Sequence, residues 1–156
     1  MADTLTLSSA SATMHTYLLY NKGTKDAPIW AKVVDIKDFP AMGGAPEQIE
    51  TTTLSNEVST FVTGVQSMST LEFLANYSVT DYKAVKALQD SAQVYEFALA
   101  FGKPDNGSYG SLGVFKWNGQ VSTWLEGGSV NAVREMRISV SATSEVDFTE
   151  TPISVA

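Results

Sequence analysis

The chain has 156 residues, a net charge of −7, 44% hydrophobic and 17% charged residues, and no cysteine. This length suits one domain with a sizeable core, and the composition lies far from the weakly hydrophobic, highly charged range of disordered chains. The missing cysteines exclude disulfides and thiolate metal sites, and the scattered acidity counts against tight nucleic-acid binding, which needs clustered Lys and Arg.

Residues 1–13 are small and polar and are expected to form a mobile arm, leaving 14–156 as a single β domain. The N-terminus lacks a basic start and an apolar core, and no apolar run approaches the roughly 18 residues of a membrane span. A soluble chain made in a cytoplasm, without membrane binding, is the expectation.

Met14 to Tyr20 reads as a short strand closed by the turn-forming cluster from Asn21 to Asp26. The lone histidine, His15, has no second His or Cys beside it and is expected to be a plain surface or strand residue. Ile29 to Phe39 is β-prone throughout and is expected to be one long strand ended by Pro40. Gly43 and Gly44 follow, but Ala45-Pro46-Glu47 comes where a phosphate loop would need Lys-Ser or Lys-Thr.

The Thr- and Ser-rich segment up to Gln66 can pair as strand, yet it has too few large apolar residues in one register to bury a face of its own. Residues 40–66 are therefore expected to be a flexible assembly loop, ordered by a neighbouring subunit or, on the plainer reading, a mobile surface hairpin. Its candidate contact residues are Pro40, Gly43, Gly44, Thr51, Thr53, Phe61 and Gly64.

From Thr70 the pattern sharpens. Leu71, Phe73, Ala75, Tyr77 and Val79 share one parity, which predicts a half-buried strand. A helix is expected over about 81–92, capped by Thr80 or Asp81, with Tyr82, Val85, Leu88 and Ala92 on the sheet-facing side. Val94 to Phe101 is a strand with bulk at its odd positions, and Asp105-Asn106-Gly107 is a turn without the ligands of a calcium loop.

Asn118-Gly119 predicts a two-residue hairpin placing Lys116 opposite Val121 and Leu112 opposite Leu125. Phe115, Trp117 and Trp124 would then share an aromatic face, either core or subunit contact. Val133 to Thr143 is the last long strand, with Met136, Ile138, Val140 and Ala142 inward, and the tail from Glu145 adds a short strand or stays loose until assembly. The sum is a mainly β fold with one flanking helix and two packed antiparallel sheets, sandwich- or barrel-like.

The run Trp30 to Pro40, with Gly43 to Glu47, Ile49 to Thr52, Gly64-Val65-Gln66, Leu71-Glu72-Phe73 and Asn76-Tyr77, resembles the major tail tube protein of long, non-contractile-tailed bacteriophages. The match covers about residues 29 to 90 as scattered positions. The resemblance implies six-subunit rings stacked into a tube, a place in the virion tail after synthesis in the bacterial cytoplasm, and no catalytic residues or cofactors. It also implies tape measure, tail tip and terminator proteins as partners, and double-stranded DNA as passing cargo.

An acidic lumen would repel phosphate close to the wall, and Glu72, Glu96 and Glu135 are candidate lumen acids. Two other readings stay open: a ring-forming tube protein of a phage-related secretion system, and a monomeric β-sandwich binding or adhesion module. An enzyme is not expected, because no Ser-His-Asp order, metal cluster or isolated acid pair stands out.

Overall fold

In the computed structural model, residues 15–43, 45–66 and 70–155 are described below. The expected arm at 1–13, together with Met14 and Gly44, lies outside them.

The strands are β1 (Thr16–Asn21), β2 (Trp30–Lys32), β3 (Ile36–Asp38), β4 (Pro46–Glu50), β5 (Phe61–Gln66) and β6 (Thr70–Asn76). After the helix α1 (Val79–Asp90) come β7 (Tyr95–Phe101), β8 (Ser108–Tyr109), β9 (Val114–Leu125), β10 (Glu135–Ala142), β11 (Asp147–Thr149) and β12 (Ile153–Ser154). One eight-stranded antiparallel sheet runs β2-β1-β7-β9-β10-β6-β3, with β11 also on β9, and β4–β5 and β8–β12 form separate two-stranded ribbons. Two packed sheets were expected; the fold is one coiled sheet with two ribbons.

The coiling follows from chain length. Six inter-strand steps of about 4.8 Å would hold β2 and β3 roughly 29 Å apart in a flat sheet. Residues 33–35 alone connect them, and that stretch spans at most about 14 Å. The sheet must therefore roll until its two ends approach. The connector is drawn inward: Val33 and Val34 are buried, and Val33 N–H donates to the Leu18 carbonyl at 2.9 Å. No ladder joins β2 to β3, so the barrel stays open. This is also why Ile29–Phe39 is two short strands instead of one: the chain has to cross from one sheet end to the other.

The rolled interior holds Leu18, Phe73, Phe97, Leu99, Met136, Ile138 and Val140, all fully buried. At its centre Trp117 lies between Phe73 and Phe97, stacked at centroid distances of 6.0 and 6.1 Å. The expected alternation of β6 holds for Leu71, Phe73 and Ala75, which point inward, but the strand ends at Asn76, so Tyr77 lies beyond it and Val79 opens the helix exposed. A second apolar layer covers the outside of β1, β7 and β9, where Leu19, Ala98, Ala100 and Val114 pack under Trp30 and Ile153. The C-terminal segment thus closes part of the sheet's outer face.

Strand β9 corrects the expected hairpin. Its first half pairs with β7 as far as Gly119 opposite Tyr95, and from Gly119 onward it pairs with β10. Asn118-Gly119 marks the place where one strand changes partners. A Cβ at Gly119 would lie 2.6 Å from Val140 Cγ1 and 2.7 Å from the Ser141 carbonyl oxygen, so glycine is there for close approach. With no turn, Trp117 and Trp124 fall on opposite faces: Trp117 is buried and Trp124 exposed.

The helix begins two residues earlier than expected, because Ser78 is the cap and its Oγ accepts from Asp81 N–H at 3.2 Å. Val85 is fully buried while Tyr82 and Leu88 pack on the core partly exposed. Ala92 lies beyond the helix at φ 53°, so it does not extend the apolar stripe. The Gln89 side chain accepts from Thr123 N–H at 3.1 Å, on the half of β9 that has left β7. The helix thereby satisfies an amide that the sheet leaves free.

Candidate assembly surface

The segment 46–66 folds on itself. Antiparallel pairing sets Ile49 opposite Val62 and Glu50 opposite Phe61, with a register shift between Pro46 and Gln48. Beyond the last pair, hydroxyls take over from the ladder. Thr51 N–H donates to the Thr60 carbonyl at 2.8 Å, Thr60 N–H to Thr52 Oγ1 at 2.9 Å, and Thr53 N–H to Asn56 Oδ1 at 2.8 Å. The threonine run that looked unable to order itself supplies its own turn chemistry.

No other element packs on this ribbon to a comparable extent among the described residues. Ile49 and Val62 lie on one face and Phe61 on the other, Val65 falls in the register shift, and all four are at least half exposed. Leu54 and Val58 in the connection are exposed as well. Full burial of these six side chains would yield on the order of 10 kcal/mol. Association costs a similar amount, so the ribbon alone would give weak contacts that need reinforcement elsewhere.

Of the candidate contact residues, Thr51 and Thr53 hold the ribbon's tip, Phe61 presents its ring outward, and Gly64 lies under Ile49, where a Cβ would come 3.1 Å from Ile49 Cδ1. Pro40 and Gly43 belong to the approach from β3, with Gly43 at φ 76°.

A second exposed apolar stretch was not foreseen. Leu125, Val130 and Val133 in and beside the β9–β10 connection are all more than half exposed, with Trp124 next to them. The ribbon enters β6 at Thr70, whereas this connection adjoins its other end, where Asn76 pairs with Glu135. The two exposed apolar stretches thus flank opposite ends of one strand. Their sequence signal was the pair Gly127-Gly128 among valines and leucine, which reads equally well as a plain turn.

The three candidate lumen acids do not share one surface. Glu72 and Glu135 lie on the outer face of β6 and β10, and both face cations. Arg137 Nη1 is 3.6 Å from Glu72, and Lys37 Nζ is 2.7 Å from Glu135. Arg137 is also held by Glu126 at 2.9 Å, a hydrogen bond that raises the guanidinium pKa further above its usual value. Trp124 Nε1–H donates to the same Glu126 oxygen at 2.9 Å. Glu96 lies apart, on β7 beside a cleft near Lys22 and Lys116.

Among the described residues no group of three His, Asp or Glu is placed to hold a metal, and no helix is long and apolar enough to cross a membrane. His15 is exposed, with φ 60°, and its Nδ1 lies 3.3 Å from the Tyr17 hydroxyl.

No protein-family model matches the sequence, and no curated protein matches it. The fold, however, is found in solved injection machinery. A chain of the six-fold-symmetrised cryo-EM structure of the anti-feeding prophage baseplate aligns at TM-score 0.64 and 8% identity, over 92% of this chain and 97% of that one. A chain of an extracellular contractile injection system, in a structure of the PVC sheath/tube terminator in its extended state, aligns at 0.65 and 8%, over 92% and 99%. A type six secretion system protein aligns at 0.50 and 15%, over 85% and 81%. The fold is thus shared with contractile injection systems and is not specific to the long-tailed phage tube family that the sequence pattern resembles.

Proposed function

We propose that this chain is a structural, ring-forming subunit of the tube of a phage-tail-like injection apparatus. The observation that carries the reading is the β4–β5 ribbon, with Ile49, Phe61, Val62 and Val65 at least half exposed, on a fold shared over 92% of the chain with proteins of such machinery. An isolated two-stranded ribbon is marginal in water, and burial against neighbouring copies supplies what it lacks.

Unlike apolar stretches at the two ends of β6 favour head-to-tail contacts, which close into rings or continue as filaments according to the rotation between copies. The six-fold symmetry of the anti-feeding prophage baseplate supports six subunits per ring. Such a tube works in an extracellular particle or virion tail, alongside sheath, terminator and tip proteins. Negative-stain images of concentrated protein test it: rings or tubes are the expected particles, and a strictly monomeric chain under all conditions contradicts it.

A second reading, the tail tube of a long non-contractile phage passing double-stranded DNA, rests on the sequence resemblance over about residues 29–90. It is distinguished by cargo. On this reading Glu72, Glu96 and Glu135 repel DNA from the wall, and lysine at all three positions slows its delivery. Unchanged delivery removes those carboxylates from the mechanism.

A further inference from the structure

The acidic ribbon has a counterpart on the same chain. Between Pro46 and Gln66 there are three acids, Glu47, Glu50 and Glu57, and no Lys or Arg. All three residues are exposed, and none is in an ion pair among the described residues. Elsewhere Lys32, Lys37, Lys86 and Arg137 each face a carboxylate, and Lys116 Nζ lies 5.5 Å from the centre of the Trp30 ring, while Lys22, Lys25, Lys83, Lys103 and Arg134 are in no ion pair among the described residues.

Two of these lysines and Lys116 converge. Lys22, Lys25 and Lys116 line a cleft of about 400 Å³ between the β1–β2 turn, the start of β7 and the β10–β11 connection. Glu96 and Asp147 also line it, leaving a balance of +1 on a chain whose net charge is −7. Val94, half exposed, lies in the same lining, and the exposed Ile29 donates its backbone N–H to Oδ1 of Asn21, another lining residue, at 2.9 Å. No residue of the ribbon lines this cleft.

We infer that the Lys22–Lys25–Lys116 cleft of one copy receives the acidic, apolar β4–β5 ribbon of another. The proposal rests on the self-assembly reading above and adds where the ribbon goes. Ammonium groups in the cleft meet Glu47, Glu50 and Glu57, while Val94 and Ile29 meet the ribbon's valines and leucine. Opposite charges fix the register of the contact, and the apolar pairs supply its burial.

Zero-length carbodiimide crosslinking tests this on the unmodified protein, because it joins a lysine amine to a carboxylate with loss of water. A mixture of nitrogen-14 and nitrogen-15 chains, concentrated and crosslinked, is expected to yield mixed-isotope peptides linking Lys22, Lys25 or Lys116 to Glu47, Glu50 or Glu57. A chain with Lys22→Glu, Lys25→Glu and Lys116→Glu should lose assembly at least tenfold in concentration. Adding Glu47→Lys, Glu50→Lys and Glu57→Lys to that chain should restore it. Rings or tubes whose ribbon acids link to Lys83, Lys86 or Lys103 instead, or links confined to single-isotope peptides, overturn the docking site while leaving the tube reading intact. No assembly and no intermolecular link overturns both.

Discussion

The rolled body and the β4–β5 ribbon are both antiparallel β-structure, yet opposite forces hold them. In the body β6, β9 and β10 each bury one face, and β7 nearly both, so Phe97, Ala98, Leu99 and Ala100 are wholly shielded from water. In the ribbon no residue of β4 is buried, and local hydroxyl and amide bonds, not packing, close the tip. The body is stabilised within one chain, whereas the ribbon presents apolar surface whose burial needs another molecule.

That contrast breaks most sharply at the aromatic stack. Phe73→Ala should lower the free energy of unfolding by about 3–5 kcal/mol, because it leaves a cavity against Trp117. Denaturant titration measures this. Trp117→Phe should cost clearly less, since it keeps the stack and removes an indole N–H that has no partner among the described residues. A Phe73→Ala chain as stable as the parent would move the stack out of the core.

The next effect concerns the bend in β9. Gly119→Ala forces a methyl into Val140 and the Ser141 carbonyl and should cost about 1–3 kcal/mol, read as a lower melting midpoint. At the helix, Ser78→Ala should cost about 1 kcal/mol by removing the cap. Ala92→Gly should give back up to about 1 kcal/mol by relieving a left-handed backbone. The smallest change in stability belongs to the ribbon. Leu54→Ser with Phe61→Ser should alter monomer unfolding by less than about 0.5 kcal/mol while weakening self-association, which sedimentation velocity would show.

Local periodicity made much of the body legible. The alternation of Leu71, Phe73 and Ala75, the inward set Met136, Ile138 and Val140, and the helix with Val85 beneath it all have their burial written into short-range spacing. What the spacing could not carry was long-range. Asn118-Gly119 has the chemistry of a tight turn, and only the partner change from β7 to β10, with Val140 pressed against the glycine, keeps it in a continuous strand. Likewise Ile29–Phe39 has uniform β propensity, and its break at 33–35 arises because it bridges the two ends of a rolled sheet. The threonines of the ribbon were visible by composition, but their mutual hydrogen bonds appear only once Thr51 and Thr60 are brought together. For Glu72 and Glu135, exposure was readable from alternation, but their cationic partners on β10 and β3 were not.

Self-association through the ribbon is the claim on which the functional reading turns, and electron microscopy of concentrated parent protein beside the Leu54→Ser, Phe61→Ser variant tests it most directly. Rings or tubes from the parent and dispersed single molecules from the variant are the predicted result. Identical particles from both chains, or single molecules from both, would contradict it.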